Sequence, residues 1–150
     1  GSCNMPDGEV FTAPVETKTN GYITFTYPAI YSGRLVSGVY LEFKNGRIIN
    51  ARAKDNEGFL QTMINTDKGS HYLGELGIGC NYRINKFTKN ILFDEKIGGS
   101  IHLAMGSSYK ECKGKNESAI HWDIIKDLKK HKGKMYFDNK LVQKEGKFLI

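Results

Sequence analysis

The stretch VYLEFKNGRIINARA, Val39 to Ala53, decides how this chain is read. Val39, Leu41 and Phe43 alternate with other residues, the period-two signature of a strand with one buried face. Asn45-Gly46 interrupts the pattern, and Arg47 to Ala53 returns beyond it. A two-residue type I′ turn needs positive φ at both central positions, and Asn-Gly accepts that at little cost. The stretch predicts an antiparallel hairpin.

Working outward, strand signals dominate. Tyr22, Thr24 and Thr26 alternate with Ile23 and Phe25 until Pro28 stops the run. After the hairpin, Asp55 or Asn56 can cap a helix whose Phe59, Leu60, Met63 and Ile64 form an apolar stripe, and Gly69 can close it. Ile101, Leu103 and Met105 alternate with His102 and Ala104; Ile120, Trp122 and Ile124 alternate with His121 and Asp123. Asp138-Asn139 and Glu145-Gly146 mark further hairpins. No internal repeat or low-complexity linker is present. The expected fold class is α+β, a mostly antiparallel β domain with one or two helices.

Composition narrows the function. The chain has 150 residues, 39% hydrophobic and 25% charged, so it supports one domain with its own core and excludes wholesale disorder. No apolar run approaches the roughly 18 to 20 residues that span a bilayer, and there is no secretory apolar segment. Cys3, Cys80 and Cys112 are odd in number and form no CxxC pair, which argues against a disulfide scaffold and for a reducing compartment. The net charge of +6 is uneven: residues 1 to 109 carry 11 basic and 10 acidic side chains, residues 110 to 150 carry 11 and 6. Lys126, Lys129, Lys130, Lys132 and Lys134 concentrate the excess. Lysines without interleaved arginines and aromatics make a weak nucleic-acid footprint, so a solvated basic face is the preferred reading. A binding module using that face for nucleic acid or an acidic partner is the alternative. Gly1-Ser2 reads as a scar of tag removal, and residues 3 to 150 as one domain of a longer protein.

Five residues form an oxygen and nitrogen set suited to a borderline metal: Glu9, Glu75, His102, His121 and Asp123. His121 and Asp123, at i and i+2 of a strand, project from one face. His102 sits opposite the apolar Ile101 and Leu103, so two histidines and a carboxylate can leave adjacent strands toward one cavity while the apolar partners fill the core. Glu9 follows the Pro6-Asp7-Gly8 turn, and Glu75 lies in a Gly74-to-Gly79 run whose bare backbone permits close approach. So many donors exceed one tetrahedral zinc and suit a pair of ions about 3.5 to 4 Å apart. The bland alternative is a hydrogen-bonded strand histidine and solvated glutamates, and no short ligand motif such as His-Glu-x-x-His decides between them. Gly77-Ile78-Gly79 and Gly98-Gly99 fit no Walker or Rossmann pattern, Ser107, Ser108 and Ser118 no nucleophile elbow. The cysteines read as inert buried thiols, His71 and His131 as surface residues.

The segments NMPDGEVFTAPVE (4–16), LGELGIGCN (73–81), ILFDEKIGGSIHLAMGSSY (91–109) and NESAIHWDII (116–125) resemble the thermophilic metallo-aminopeptidases, the family of leucyl aminopeptidase T, aminopeptidase S and aminopeptidase II. The resemblance runs from Cys3 to the C-terminus and covers less than half of a family member, its C-terminal domain, with the N-terminal domain absent. It implies the metal ligands Glu9, Glu75, His102, Tyr109, His121 and Asp123; Tyr109 enters by resemblance alone. The Lys-rich KECKGKNES (110–118) departs from relatives, which carry Pro and Gly there. The family implies a cytoplasmic, dimeric exopeptidase using two divalent ions (Zn, Co or Mg) to remove apolar N-terminal residues such as leucine from peptides. Glu16, seven residues after Glu9, is a candidate proton shuttle, with a surface or supporting carboxylate as the equal alternative, and Tyr109 is an alternative donor to the oxyanion.

Overall fold

In the computed structural model, residues 4–130 and 132–149 are described; Gly1-Ser2, Cys3, His131 and Ile150 lie outside them. Four strands form the principal sheet: β1 (Glu9–Thr12), β7 (Leu73–Gly79), β8 (Ser100–Gly106) and β9 (His121–Asp127), in the order β1-β7-β8-β9 and antiparallel throughout. A second sheet orders β2 (Gly21–Thr24), β5 (Tyr40–Lys44) and β6 (Arg47–Arg52). The short pair β3 (Ala29–Tyr31) and β4 (Arg34–Val36) stands beside it, and β10 (Lys134–Phe137), β11 (Lys140–Lys144) and β12 (Lys147–Phe148) make a terminal meander. Two α-helices, α1 (Glu57–Ile64) and α2 (Ile91–Asp94), complete the α+β class expected from the sequence.

The β5–β6 hairpin turns at Asn45 and Gly46 with φ of 51° and 82°, as a type I′ turn requires. Helix α1 buries Leu60, Met63 and Ile64 of the predicted stripe and leaves Phe59 half-buried. Its ends differ from the expectation. Asn56 is the N-cap, but with φ 58° its side chain makes no cap bond and donates to the Leu35 carbonyl instead. Gly69 does not close the helix. Asn65 does, its backbone N–H and its side-chain amide both reaching the Gln61 carbonyl, and Gly69 opens a separate 3₁₀ turn, Gly69–His71.

The core lies between one face of the principal sheet and the layer made by the second sheet, β3–β4 and α1. Met105, Ile120, Trp122 and Ile124 meet Phe25, Val36, Leu41, Leu60 and Met63 there. Trp122 packs against Tyr31 and Phe59 and donates its indole N–H to the Ile30 carbonyl at 3.1 Å. Because faces alternate along a strand, filling the core with Trp122 and Ile124 obliges His121 and Asp123 to face the other way.

Candidate metal centre

Strand register gathers the donors. In an antiparallel pair, directly opposed residues share a face. Glu9 opposes Gly79, Phe11 opposes Gly77, and Gly77 opposes His102. Ala104 lies between Glu75 on one side and Asp123 on the other, and Gly106 opposes His121. The five residues chosen on chemical grounds thus stand on one face, interleaved with small residues that leave room for them.

The bare backbone around Glu75 has a specific use. A Cβ on Gly77 would fall 2.0 Å from His102 Nε2, so the imidazole packs directly against the glycine. His102 and Glu75 are buried, His121 and Asp123 half-buried. Leu103, on the opposite side of the strand, packs against the core as expected, yet His102 is more deeply buried than either Ile101 or Leu103. The cause is a cover. The segment after α2 folds over the donor face, tied to Asn81, whose N–H donates to the Lys96 carbonyl and whose carbonyl accepts from Gly98.

Glu75 divides the centre. Its Oε1 lies 3.1 Å from His102 Nε2 and its Oε2 3.2 Å from His121 Nε2. Glu9 Oε2 is 3.6 Å from His102 Nε2, and Asp123 Oδ2 is 3.5 Å from His121 Nε2. Two groups of three donors result, each with ligand atoms within 4.8 Å of one another: Glu75, His121 and Asp123, and Glu9, Glu95 and His102. Glu95 was not singled out in the sequence. It ends α2 in Asp94-Glu95-Lys96, a charged run that reads as a solvated face, yet only 8% of it is exposed. A fold placing that run over a sheet was the missing information.

The remaining residues distribute as follows. His121 Nδ1 donates to the Ser107 carbonyl at 2.8 Å, since a carbonyl can only accept, and this leaves Nε2 for the cluster. Tyr109 lines the cleft, its ring 4.9 Å from His121 and 5.5 Å from Phe11. Burial, reinforced by the charges of Glu75 and Asp123, pushes its phenol up to about 12. Glu16 is not brought to the cluster. Its carboxylate accepts from the Lys115 N–H at 2.8 Å and is absent from the cleft lining, and backbone hydrogen bonds hold it below the usual carboxylate range, which makes it a poor base. His71, expected at the surface, is half-buried, as are the free thiols of Cys80 and Cys112.

The electrostatics fit a cation site. Burial, with Glu95 beside it, pushes the Glu9 carboxyl up, and burial lifts Asp123 to about 6 against the pull of both histidines. His121 rises to about 9: burial opposes the shift, but Glu75 and Asp123 prevail. Glu75 alone falls, to about 2, because the hydrogen bonds from His102 and His121 overcome its burial. Burial or neighbouring carboxylates thus favour the protonated form at Glu9, Asp123 and His121, though not at Glu75, and a divalent ion replaces protons at such donors. Glu9 Oε2, Asp123 Oδ1 and His102 Nδ1 are buried with no hydrogen-bond partner among the described residues. Carboxylate and imidazole without thiolate is a set for Zn²⁺, Co²⁺ or Mn²⁺, with Mg²⁺ favoured as oxygen ligands increase.

The model of the thermophilic metalloprotease (M29) family matches residues 2–148. The chain belongs to that family. Aminopeptidase AmpS of Bacillus subtilis (strain 168) is 40% identical over 81% of this chain, and Aminopeptidase T of Thermus thermophilus 32% identical over 80%. Both alignments cover about a third of the relative, 34% and 33% respectively, so this M29 chain spans about a third of the length of the curated relatives it matches. Among solved structures, wild-type AmpT from Thermus thermophilus superposes with a TM-score of 0.80 at 24% identity, covering 98% of this chain and 41% of that one. A 2,5-dihydroxypyridine dioxygenase from Pseudomonas putida superposes at 0.74 and 21% identity, covering 96% and 44%. These two likenesses describe fold alone. That one fold carries a peptidase name and a dioxygenase name shows why function has to be argued from the donor cluster. The M29 family is metal-dependent, and the mostly antiparallel fold agrees with one domain of a larger protein. Among the described residues no helix is long and apolar enough to cross a membrane.

Proposed function

We propose that this chain carries the metal site of an aminopeptidase, a cytoplasmic homodimer whose N-terminal domain is supplied by the further length its relatives have. The observation that carries the reading is Glu75, one carboxylate shared between His102 and His121, which sorts the donors into two groups. Glu9, Glu95 and His102 would hold one divalent ion, Glu75, His121 and Asp123 the other, with Tyr109 beside the second through His121. Divalent ions held there would supply Lewis-acid chemistry, lowering the pKa of a bound water toward neutrality and polarising a carbonyl.

The chain's own residues supply the rest. The Ser107 carbonyl fixes the tautomer of His121, so Nε2 is presented rather than Nδ1. Tyr109 stays protonated at neutral pH and offers its O–H to negative charge developing in the cleft. The cleft, about 640 Å³, has Phe11, Ile91, Leu92 and Tyr109 as an apolar wall, suited to a side chain such as leucine. Asp7 and Glu111 line the same cleft and favour the cationic N-terminus of a peptide over an internal peptide bond.

Bound metal is measured after dialysis against Co²⁺ or Zn²⁺, alongside cleavage of a leucine-initiated tripeptide and its N-acetylated form by the full-length protein. The expected result is about two equivalents per chain at saturation, loss in Glu75→Gln and His121→Ala, and cleavage of the free-amine peptide only. Full metal retention in both variants, or equal cleavage of the acetylated peptide, overturns the assignment.

A further inference from the structure

Lys96 is the buried lysine among the described residues, 1% exposed, and it sits inside one of the two donor groups. Its Nζ bonds Glu95 Oε1 and lies 3.7 Å from Glu9 Oε1. Those carboxylates, with His102, are the group Glu9–Glu95–His102. The other group has no such occupant: among the described residues, Glu75 and Asp123 make ion pairs only with imidazoles.

The difference matters because the two kinds of partner respond differently to a metal. An imidazole gives up a proton and becomes a ligand through the nitrogen that is freed. A lysine is a strongly hydrated point charge that ordinarily stays protonated far above neutrality, and it is tolerated in the interior only when paired. A divalent ion entering between Glu9 and Glu95 meets a like charge already there. The backbone of Lys96 is held, its N–H by the Phe93 carbonyl and its carbonyl by the Asn81 N–H, but the residue borders the cleft, which gives its side chain space into which to move.

We infer that Lys96 is a resident cation that makes the two metal positions unequal. The first ion binds at Glu75–His121–Asp123; the second binds at Glu9–Glu95–His102 only by displacing the Lys96 ammonium, and therefore more weakly. At limiting metal the centre holds one ion, with Lys96 as its second positive charge. This inference rests on the metal reading of the preceding subsection, and the test separates the two.

Co²⁺ is titrated into the chain and followed by its visible absorption, with bound metal counted by equilibrium dialysis. The wild type is expected to show two steps, the second weaker by at least about tenfold, within the range by which neighbouring groups tune metal affinity. Lys96→Met keeps the apolar stem and removes the charge; it should tighten the second step by about tenfold and leave the first unchanged. Lys96→Arg keeps the charge and should leave the second step weak, which separates charge from packing. Two equal steps in the wild type overturn the inference without any variant, as does a second step unchanged or weakened in a folded Lys96→Met. No binding at either step overturns the metal reading itself, and this inference with it.

Discussion

A Cβ on Gly77 would stand 2.0 Å from Nε2 of His102, so the ring that faces Glu75 and Glu9 occupies the space a side chain on β7 would take. No rotation of a side chain on β7 relieves that contact, because the added atom is fixed to backbone and the ring is fully buried. Gly77→Ala is expected to cost about 1 to 3 kcal/mol in stability through overpacking. It is also expected to weaken metal binding by about 10- to 100-fold, because His102 must leave its position. Urea unfolding and metal dialysis on the same preparation check both. Unchanged metal affinity in Gly77→Ala would show that His102 is not a ligand.

Glu16 makes the opposite prediction. Its carboxylate holds the Lys115 N–H and stands outside the cleft, so its work is to pin the Lys-rich loop. Glu16→Gln keeps an acceptor at that position and is expected to leave metal content and the pH profile of peptide cleavage as in the wild type. A shuttle removed by the same substitution would instead abolish the limb of the profile that reports it. That outcome would return Glu16 to the role of proton shuttle.

How much was legible in the sequence follows from which constraints are local. The turns at Asn45-Gly46, Asp138-Asn139 and Glu145-Gly146 all adopt positive φ at both residues, as a dipeptide can dictate. The shared face of His121 and Asp123 follows from their i, i+2 spacing. The pairing of Glu75 with both histidines follows instead from the order β1-β7-β8-β9, which alternation does not encode. Glu95 and Lys96 were illegible for the same reason: a charged run reads as solvated unless a distant strand is known to lie beneath it. Asn56 holds the N-cap position of α1 as the sequence suggested, but its side chain makes no capping bond because it has a tertiary partner in the Leu35 carbonyl.

Trp122, between His121 and Asp123 on β9, couples the core to the site. Its indole N–H donates to the Ile30 carbonyl at 3.1 Å and its ring meets Phe59 and Tyr31. Trp122→Phe keeps an aromatic ring, loses the donor and leaves a small void, with an expected cost of about 1 to 3 kcal/mol. Metal stoichiometry is expected to stay at the wild-type value, since the strand register that orients His121 and Asp123 is set by β8. Loss of metal in a stably folded Trp122→Phe would show that core packing, rather than register, aims the donors.

Asp67 anchors the segment that leads into β9. Its Oδ2 accepts from the Ala119 N–H at 2.7 Å, and its carboxylate also accepts from the Ser118 hydroxyl and the Ser70 N–H. The Ala119 N–H is the main cause, with Ser118 and Ser70 adding to it, of a carboxyl held below its usual range of 3.8. A group whose folded pKa lies below its unfolded value stabilises the fold fully above the unfolded value, and that contribution is lost as pH falls through the folded one. Asp67→Asn presents at most one acceptor oxygen and turns an N–H toward other donors, so it lacks the contribution at every pH. The urea midpoint of the variant is expected to lie below the wild type near about pH 6, and the gap is expected to narrow as pH falls below the ordinary aspartate value of 3.8. Other carboxylates titrate in both proteins and cancel in the difference. A gap that stays constant across this range would mean that Asp67 acts through shape alone, with its charge contributing nothing to holding the entry to β9.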